Sequence, residues 1–564
     1  MHPEGKRGWL TPATLAVLLG AADTYVVVLL LPSLMQGVGL DTSELQRAAP
    51  LITGFLLGYV AALPAAGRIS DAVGRRAVLV SCLLLFAAGA VVTASAHGLG
   101  HAVAGRLLQG VGAGGVVPAT LALVADLWPP DRRAVPLGVV GGVQEAGAVL
   151  GPLVGAGVLA LAGWRWAFWG GAGLAVVLAA SFAAGGGRRG RVKADWPGAG
   201  LGLAALAAAA LAVVAPRPLV DDVTLGALWV PTGVRLTPIT LIAAALALAL
   251  VGRETTARHP LLPLRGTRAL FVEVDGVGLL LAATALAGVV LAFAAADPER
   301  SAVADSAPYS LTVSGLAAVA FVTRQRTARR PLIPRGTLRP RQTVGSLLVS
   351  LLLGVALVAV LVDIPIYART TLHDSSQLDA ALVLLRFLAA VPIGAAAGGW
   401  LTRRAGPAIG AAAGLALVTF SLLGMAHWGL HALTRQELAS NAALVAAGLG
   451  FGLAVAPVNT AALARAAHTT HGLVSSLVVV ARTVGMLVGL SVLSAVGLRV
   501  YAERAAKLPS PLALCPDSPS DCPAFATLNR IAVVHELQVV FLLAAGCAAA
   551  AGALCVTLRA SRSR

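Results

Sequence analysis

Apolar runs long enough to cross a bilayer recur along this chain, and clusters of arginine concentrate in every second connection between them. Six such runs lie in the first third, at 11–35, 49–67, 77–97, 101–125, 135–161 and 166–184. A spanning helix needs about 20 apolar residues, because each residue advances it by only about 1.5 Å. Arg75 and Arg76, Arg132 and Arg133, and the stretch from Arg188 to Lys193 fall on one side, whereas Asp41 to Glu44 and His97 to His101 fall on the other. Short loops keep Lys and Arg in the cytoplasm, so this alternation places the N-terminus there. Of 564 residues 58% are hydrophobic and 12% charged, against about 25% charged in soluble domains. The chain therefore reads as an all-α polytopic membrane protein. The net charge of +17 would point to nucleic acid in a soluble protein. Here it sits in short loops, where anionic headgroups are the expected counterions and no nucleic-acid partner is implied. The stretch Met1 to Trp9 is polar, and the run after it is too long for a signal peptide and lacks a small-residue cleavage site, so it is expected to stay as the first span.

The middle third holds a repeated unit. Asp195-Trp196-Pro197-Gly198-Ala199-Gly200-Leu201 opens one apolar pair, which closes at Thr256-Ala257-Arg258-His259-Pro260-Leu261-Leu262-Pro263. Glu273-Val274-Asp275-Gly276-Val277-Gly278-Leu279 opens a second, closed by Thr327-Ala328-Arg329-Arg330-Pro331-Leu332-Ile333-Pro334. These read as tandem hairpins near 196–216/236–252 and 275–296/309–323. The last run is short for a span and is expected to be tilted, interfacial or incomplete. A hairpin returns the chain to the side it left, so the topology beyond is preserved. The basic, proline-rich stretch Arg324 to Gln342 reads as a linker at the lipid surface. Six more runs follow, at 343–365, 380–401, 408–427, 440–463, 471–500 and 529–557. Arg403/Arg404, Arg465 and the tail Arg559 to Arg564 share the cytoplasmic side, which puts both termini there. The implied divisions are 1–194, a first six-helix half; 195–272 and 273–342, two linker hairpins; and 343–564, a second half with an extracytoplasmic extension near 500–528.

Between the second and third runs lies Gly67-Arg68-Ile69-Ser70-Asp71-Ala72-Val73-Gly74-Arg75-Arg76. Sidedness alone explains the arginines but not Asp71 or the glycines. Gly67 permits close helix approach, and Gly74 a positive-φ turn. Gly398-Gly399-Trp400-Leu401-Thr402-Arg403-Arg404-Ala405-Gly406 repeats this stretch without the acid at the matching place in the second half. Arg106-Leu107-Leu108-Gln109-Gly110-Val111-Gly112 marks the fourth run, and Gly147-Ala148-Val149-Leu150-Gly151-Pro152-Leu153-Val154-Gly155 the fifth. The glycines after Gln109 also fit G-x-G-x-x-G, but a dinucleotide site needs a strand before the motif, and this one lies inside an apolar helix. Together these stretches resemble the major facilitator superfamily, in its drug:proton antiporter type with extra linker helices. The resemblance implies two six-helix halves related by a pseudo-twofold axis plus one or two linker hairpins, 14 to 16 transmembrane helices in all. It also implies a gating loop at Gly67, Asp71, Gly74, Arg75 and Arg76, an antiporter motif at Gly147, Gly151, Pro152 and Gly155, and proton transfer at Arg106.

Ionisable groups deep in a span cost at least a few kcal/mol and so mark function. Asp23 in the first run, Glu145 in the fifth and Arg482 in the penultimate one are the candidates for proton and charge coupling, a desolvated carboxylate near an arginine being suited to proton exchange. A permanent lock between helices is the other reading of such a pair. Arg386 and Asn459 are weaker candidates for the cavity wall. Cys515 and Cys522, in Cys515-Pro516-Asp517-Ser518-Pro519-Ser520-Asp521-Cys522, fall on the oxidising side and are expected to pair. Two thiols without a histidine make no metal site, and no cofactor is implied.

The runs Leu15 to Val28 and Val478 to Gly489 are similar to mycobacterial exporters that work with the periplasmic lipoprotein LprG on triacylglycerides. In ordinary drug pumps of this type a Thr and an Asn stand where Tyr25 and Val28 stand here. The resemblance implies a bacterial inner-membrane exporter of a lipid or other bulky hydrophobic substrate, driven by protons and handing cargo to a periplasmic lipoprotein. The segment His471 to about Ala506, taken as one helix, would extend about 50 Å, beyond a core of about 30 Å. A polyspecific drug:proton antiporter is the alternative, and a non-transporting sensor or scaffold a third. An enzyme is not expected, for no nucleophile–base pairing, metal cluster or nucleotide loop is evident.

Overall fold

The computed structural model describes residues 3–40, 45–184, 224–230, 237–256, 267–293, 307–372, 377–516 and 522–559, with isolated positions between 198 and 222. Asp41 to Glu44, Arg188 to Lys193, the opening residues Asp195 to Pro197, the stretch Ala257 to Pro263 and the tail beyond Arg559 lie outside the described residues. The first half is built of α1 (Pro3–Gly37), α2 (Pro50–Val73), α3 (Arg75–Ala94), α4 (Leu99–Leu127), α5 (Ala134–Ala162) and α6 (Trp164–Ala184). Then come α7 (Pro238–Thr256), α8 (Gly276–Phe293) and α9 (Ala307–Thr327). The second half comprises α10 (Arg341–Thr371), α11 (Gln377–Ala405), α12 (Pro407–Met425), α13 (Glu437–Leu463), α14 (His471–Ala505) and α15 (Pro523–Leu554). Among the described residues, 11 helices are long and apolar enough to span a bilayer, or 12 with α5, which bends by 42° between Gly147 and Leu150. Pro152 lacks the N–H that would bond the carbonyl four residues back, beside that bend. These twelve are the two halves. The apolar stretches of α7 and α8, Pro238–Leu250 and Gly276–Ala292, are shorter.

The halves repeat one packing scheme. In the first, α2 and α3 pack on α4, α1 on α5 and α3 on α6; in the second, α11 and α12 pack on α13, α10 on α14 and α12 on α15. The halves meet along two seams, α5 with α11 and α2 with α14, which exchange under the same twofold operation. The second hairpin, α8 with α9, lies along α2 and reaches α14. Buried Asp275 ties its base together, accepting from Arg324 Nε at 3.0 Å, Gly278 N at 3.2 Å and Leu332 N at 3.2 Å.

Two expectations change in detail. The ten residues from Gly67 to Arg76 do not form an open loop, since α2 runs to Val73, α3 begins at Arg75, and Gly74 alone turns the chain at φ 109° and ψ 145°. Backbone hydrogen bonds continue past the end of an apolar run, so the helix outlasts the hydropathy signal. Residues Ala307–Thr327 form one helix of 21 residues, longer than the run at 309–323.

Candidate functional site

Two ion pairs lie deep among the spans of the two halves. Asp23, on α1, is 8% exposed and Arg106, on α4, only 1%. Arg106 Nη1 donates to Asp23 Oδ2 at 2.5 Å, while its Nε reaches the Leu51 carbonyl at 3.2 Å. Gln109 lies one turn after Arg106 on the same helix face; its Nε2 donates to Asp23 Oδ1 at 3.2 Å, and its Oε1 accepts from Thr93 Oγ1 at 2.9 Å. The guanidinium also lies 4.4 Å from the centre of the Phe55 ring. All of these groups belong to the first half. A buried ion pair is tolerated when its remaining donors and acceptors are satisfied, and here several helices supply them.

The second centre crosses the seam. Arg482 Nη1, on α14, donates to Glu145 Oε1, on α5, at 3.2 Å, with side-chain exposures of 13% and 17%. A small cavity of about 20 Å³ opens beside Arg482, walled by Leu121, Gln144, Ser350, Leu353, Val455 and Asn459. A second space, bounded by Glu145, Leu357, Val391, Phe451 and again Arg482, lies against it. Tyr25 and Tyr59 stand near enough to feel the charges of both Glu145 and Arg482. The ion pair thus lies between a space with polar groups from Gln144, Ser350 and Asn459 and a mainly apolar one at Leu357, Val391 and Phe451. Of the weaker candidates, Asn459 lines the first of these spaces, whereas Arg386 bonds Asn441 on the neighbouring helix α13.

At the end carrying Arg75, Arg133 and Arg404, here the basic end, the halves are closed. The carboxylate of Asp71 accepts from the backbone N–H groups of Gly472 and Leu473, both at 2.9 Å. It thereby satisfies donors that the first turn of any helix leaves open. Thr470 precedes that turn and offers no side-chain cap. Arg75 pairs with Asp71 and also donates to Asp126 Oδ2 at 3.1 Å and to the His468 carbonyl at 3.0 Å. A Cβ on Gly67 would stand 2.5 Å from the Gly472 carbonyl oxygen, so glycine is required for this approach. Gly399, at the corresponding place in the second half, likewise lies on the opposing helix, where a Cβ would meet the Ala134 carbonyl at 2.8 Å. Arg76 takes no part in the seam; its Nη2 donates to Phe182 on α6 at 2.6 Å and its guanidinium stacks 4.3 Å from the Trp9 ring, within one half.

The fifth-helix glycines face α1. Side chains at Gly147 or Gly151 would run into the backbone of Ala22, one residue from Asp23. At the opposite end α14 runs 35 residues without a break and α15 rises to meet it from Pro523. Tyr501 on α14 donates to Asn529 Oδ1 on α15 at 2.8 Å, and Cys515 and Cys522 join in a disulfide beyond them.

Sequence reasoning overlooked Asp126, His468 and His471, which join the basic-end network, and the bond from Gln109 to Asp23. The signal for Gln109 was its i+3 spacing from Arg106. That for the histidines was their own three-residue spacing just before a long apolar run.

A sequence model of the Major Facilitator Superfamily matches residues 13–296. The triacylglyceride transporter of Mycolicibacterium hassiacum is 35% identical over 517 residues, covering 90% of this chain and 82% of that protein. The triacylglyceride transporter of Mycobacterium tuberculosis is 35% identical over 507 residues, or 88% and 83% of the two chains. Among solved structures, the proton:xylose symporter XylE superposes with a TM-score of 0.51 at 14% identity, over 97% of this chain and 95% of that one. The human organic anion transporter MFSD10 does so with a TM-score of 0.50 at 17% identity, over 97% and 100%. Those two bear on the fold alone. On its sequence match, on relatives of this identity and coverage, and on its two repeated six-helix halves, the chain belongs to the Major Facilitator Superfamily and is a multi-pass membrane protein.

Proposed function

We propose that this protein is a secondary active exporter, coupled to protons, that moves a triacylglyceride-like lipid or another bulky hydrophobic molecule out of the bacterial inner membrane. The observation that carries this reading is the Glu145–Arg482 pair, set at the seam between the halves beside an apolar space walled by Leu357, Val391 and Phe451. An apolar wall suits hydrocarbon cargo, and an ion pair between two moving bodies is a site where protonation changes their affinity for each other. The relatives named as triacylglyceride transporters favour a lipid. The cavity of about 20 Å³ is far below the roughly 300–1,000 Å³ typical of drug-sized ligands, so cargo enters only as the halves part.

The basic end faces the cytoplasm by the sidedness of its arginines, which puts both termini inside. The closed network at Asp71 then belongs to an outward-facing state, and the gating role falls to Gly67, Asp71, Gly74 and Arg75 across the seam, with Arg76 anchoring α3 within its half. Asp23 and Arg106 hold the proton-binding centre of the first half. The α14–α15 extension is the element that would meet a periplasmic lipoprotein.

The test is reconstitution in lipid vesicles under an imposed proton gradient, following a fluorescent triacylglyceride analogue beside a cationic dye, with Asp23→Asn as control. Lipid movement that needs both the gradient and Asp23 is the expected result. Movement of the dye alone would establish a drug:proton antiporter instead, and movement of neither would favour a sensor or scaffold.

A further inference from the structure

The two small spaces flanking Arg482 make up the chamber between the halves, and they differ in chemistry. One is bordered by Gln144 of α5, Ser350 of α10 and Asn459 of α13; the other by Leu357, Val391 and Phe451. Arg482, Leu353 and Val455 border both, so the two spaces adjoin. Gln144 and Asn459 belong to opposite halves. Asn459 is 8% exposed, and neither carboxamide has a protein hydrogen-bond partner among the described residues. Ser350, by contrast, is satisfied, its Oγ donating to the Val478 carbonyl at 2.9 Å. Buried polar groups of native proteins are nearly always paired, so two amides left open beside one space point to a ligand that pairs them. A guanidinium carries several donors and no acceptor, and Arg482 gives one of them to Glu145. With the NH₂ group of each amide the space is rich in donors, which favours a guest that only accepts. Its volume of about 20 Å³ admits a single oxygen atom, since one water needs about 10–15 Å³. A hydrocarbon chain suits the space beyond Arg482.

We propose that Gln144 and Asn459 form a binding subsite for an ester carbonyl oxygen of the cargo, whose acyl chain passes Arg482 into the space at Leu357, Val391 and Phe451. This site rests on the lipid-export reading and narrows it: the cargo is selected for an acyl ester, not for apolar bulk alone. An alkyl ether has nearly the shape of the ester but lacks the carbonyl, so it leaves the amides unpaired. A site built to hydrogen-bond a group discriminates strongly against the analogue without it, whereas a purely apolar pocket barely separates molecules of similar bulk. Because the amides sit on opposite halves, the carbonyl meets both only once the halves have closed around it.

Equilibrium binding tests this without a gradient. Full-length protein in an ester-free maltoside detergent binds a fluorescent triacylglyceride analogue, which is displaced by an unlabelled triacylglyceride or by the trialkyl ether of equal chain length. The ester should compete about tenfold more strongly, the difference made by one buried donor left unpaired. Asn459→Leu and Gln144→Met, close in shape but without an amide, should each shrink that ratio, and together bring it to about one. Leu357→Ala, in the apolar space, should weaken both competitors and leave the ratio as it is. Should the double variant fail to fold, either single one carries the comparison. Equal competition by ester and ether in the wild type, displacement by neither, or an undiminished ratio in the amide variants overturns the subsite. Gradient-driven flux in vesicles tells this apart from export itself: flux without ester preference keeps export and removes the subsite, while ester preference without flux keeps the subsite and removes export.

Discussion

Glu145 Oε1 and Arg482 Nη1 stand 3.2 Å apart across the seam that divides the molecule, so this ion pair must break whenever α5 and α14 move apart. Removing one partner leaves the other charge uncompensated and mostly buried, at a cost of about 3–5 kcal/mol. Glu145→Gln and Arg482→Ala should each abolish gradient-driven flux in vesicles while leaving membrane insertion intact. The double variant should lose no more than either single one, because the two residues act as a unit. Additive losses, or wild-type flux in either single variant, would separate the pair from coupling.

Asp23 and Arg106 differ from that pair in lying within one half, where they stay together as the halves rock. Asp23→Ala strands a guanidinium that is 1% exposed, whereas Asp23→Asn keeps an acceptor for it. The alanine variant should therefore unfold in detergent at a clearly lower temperature, losing about 3–5 kcal/mol, with the asparagine variant in between. Both should lose proton-driven transport. Equal melting of the two would show that the acceptor oxygen, and hence the bond from Arg106 Nη1, contributes little to stability.

These two centres show what the sequence could and could not disclose. Asp23, Glu145 and Arg482 stood out because a charge inside an apolar run is costly wherever the helix ends up. Their pairing did not, because it depends on which helices touch; Asp23 found Arg106 83 positions away, and Glu145 found Arg482 337 positions away. Asp126, His468 and His471 were passed over since they sit at helix ends, where a charge costs little and carries no hydropathy signal. The second linker hairpin was legible as a pair of apolar runs, but which elements it covers depends on the seam between α2 and α14. By contrast Gly399 was foreseeable as the counterpart of Gly67, because each lies seven residues before a positive-φ glycine, Gly406 at φ 87° and Gly74 at φ 109°.

That symmetry gives a third prediction. Gly67→Leu and Gly399→Leu insert a side chain where the opposing backbone already makes contact, one at the α2–α14 seam and one at the α5–α11 seam. Overpacking of this kind typically costs about 1–3 kcal/mol in the closed form, with nothing comparable once the halves separate. Either change should raise thiol labelling of a cysteine at Ser475 by a reagent applied from the basic side, by about tenfold. Unchanged labelling in both would mean that the basic end does not part along these seams.

The extension at the opposite end is tied by a disulfide that closes a short loop, with Cys515 and Cys522 separated by 7 positions. A loop this small restricts the unfolded chain by about 2–3 kcal/mol on the chain-entropy model, and the restriction is local to the link between α14 and α15. The helices of the chamber do not depend on it, being packed through α10, α12 and α2. Cys515→Ser with Cys522→Ser should therefore leave the melting of the core and gradient-driven flux across vesicle bilayers near wild type. Delivery of the same labelled lipid to a soluble lipid-binding acceptor protein outside the vesicle should fall severalfold, because the acceptor meets the extension rather than the chamber. If flux and delivery fall together, the disulfide supports the transport core itself; if neither changes, cargo leaves the chamber without passing along α14 and α15.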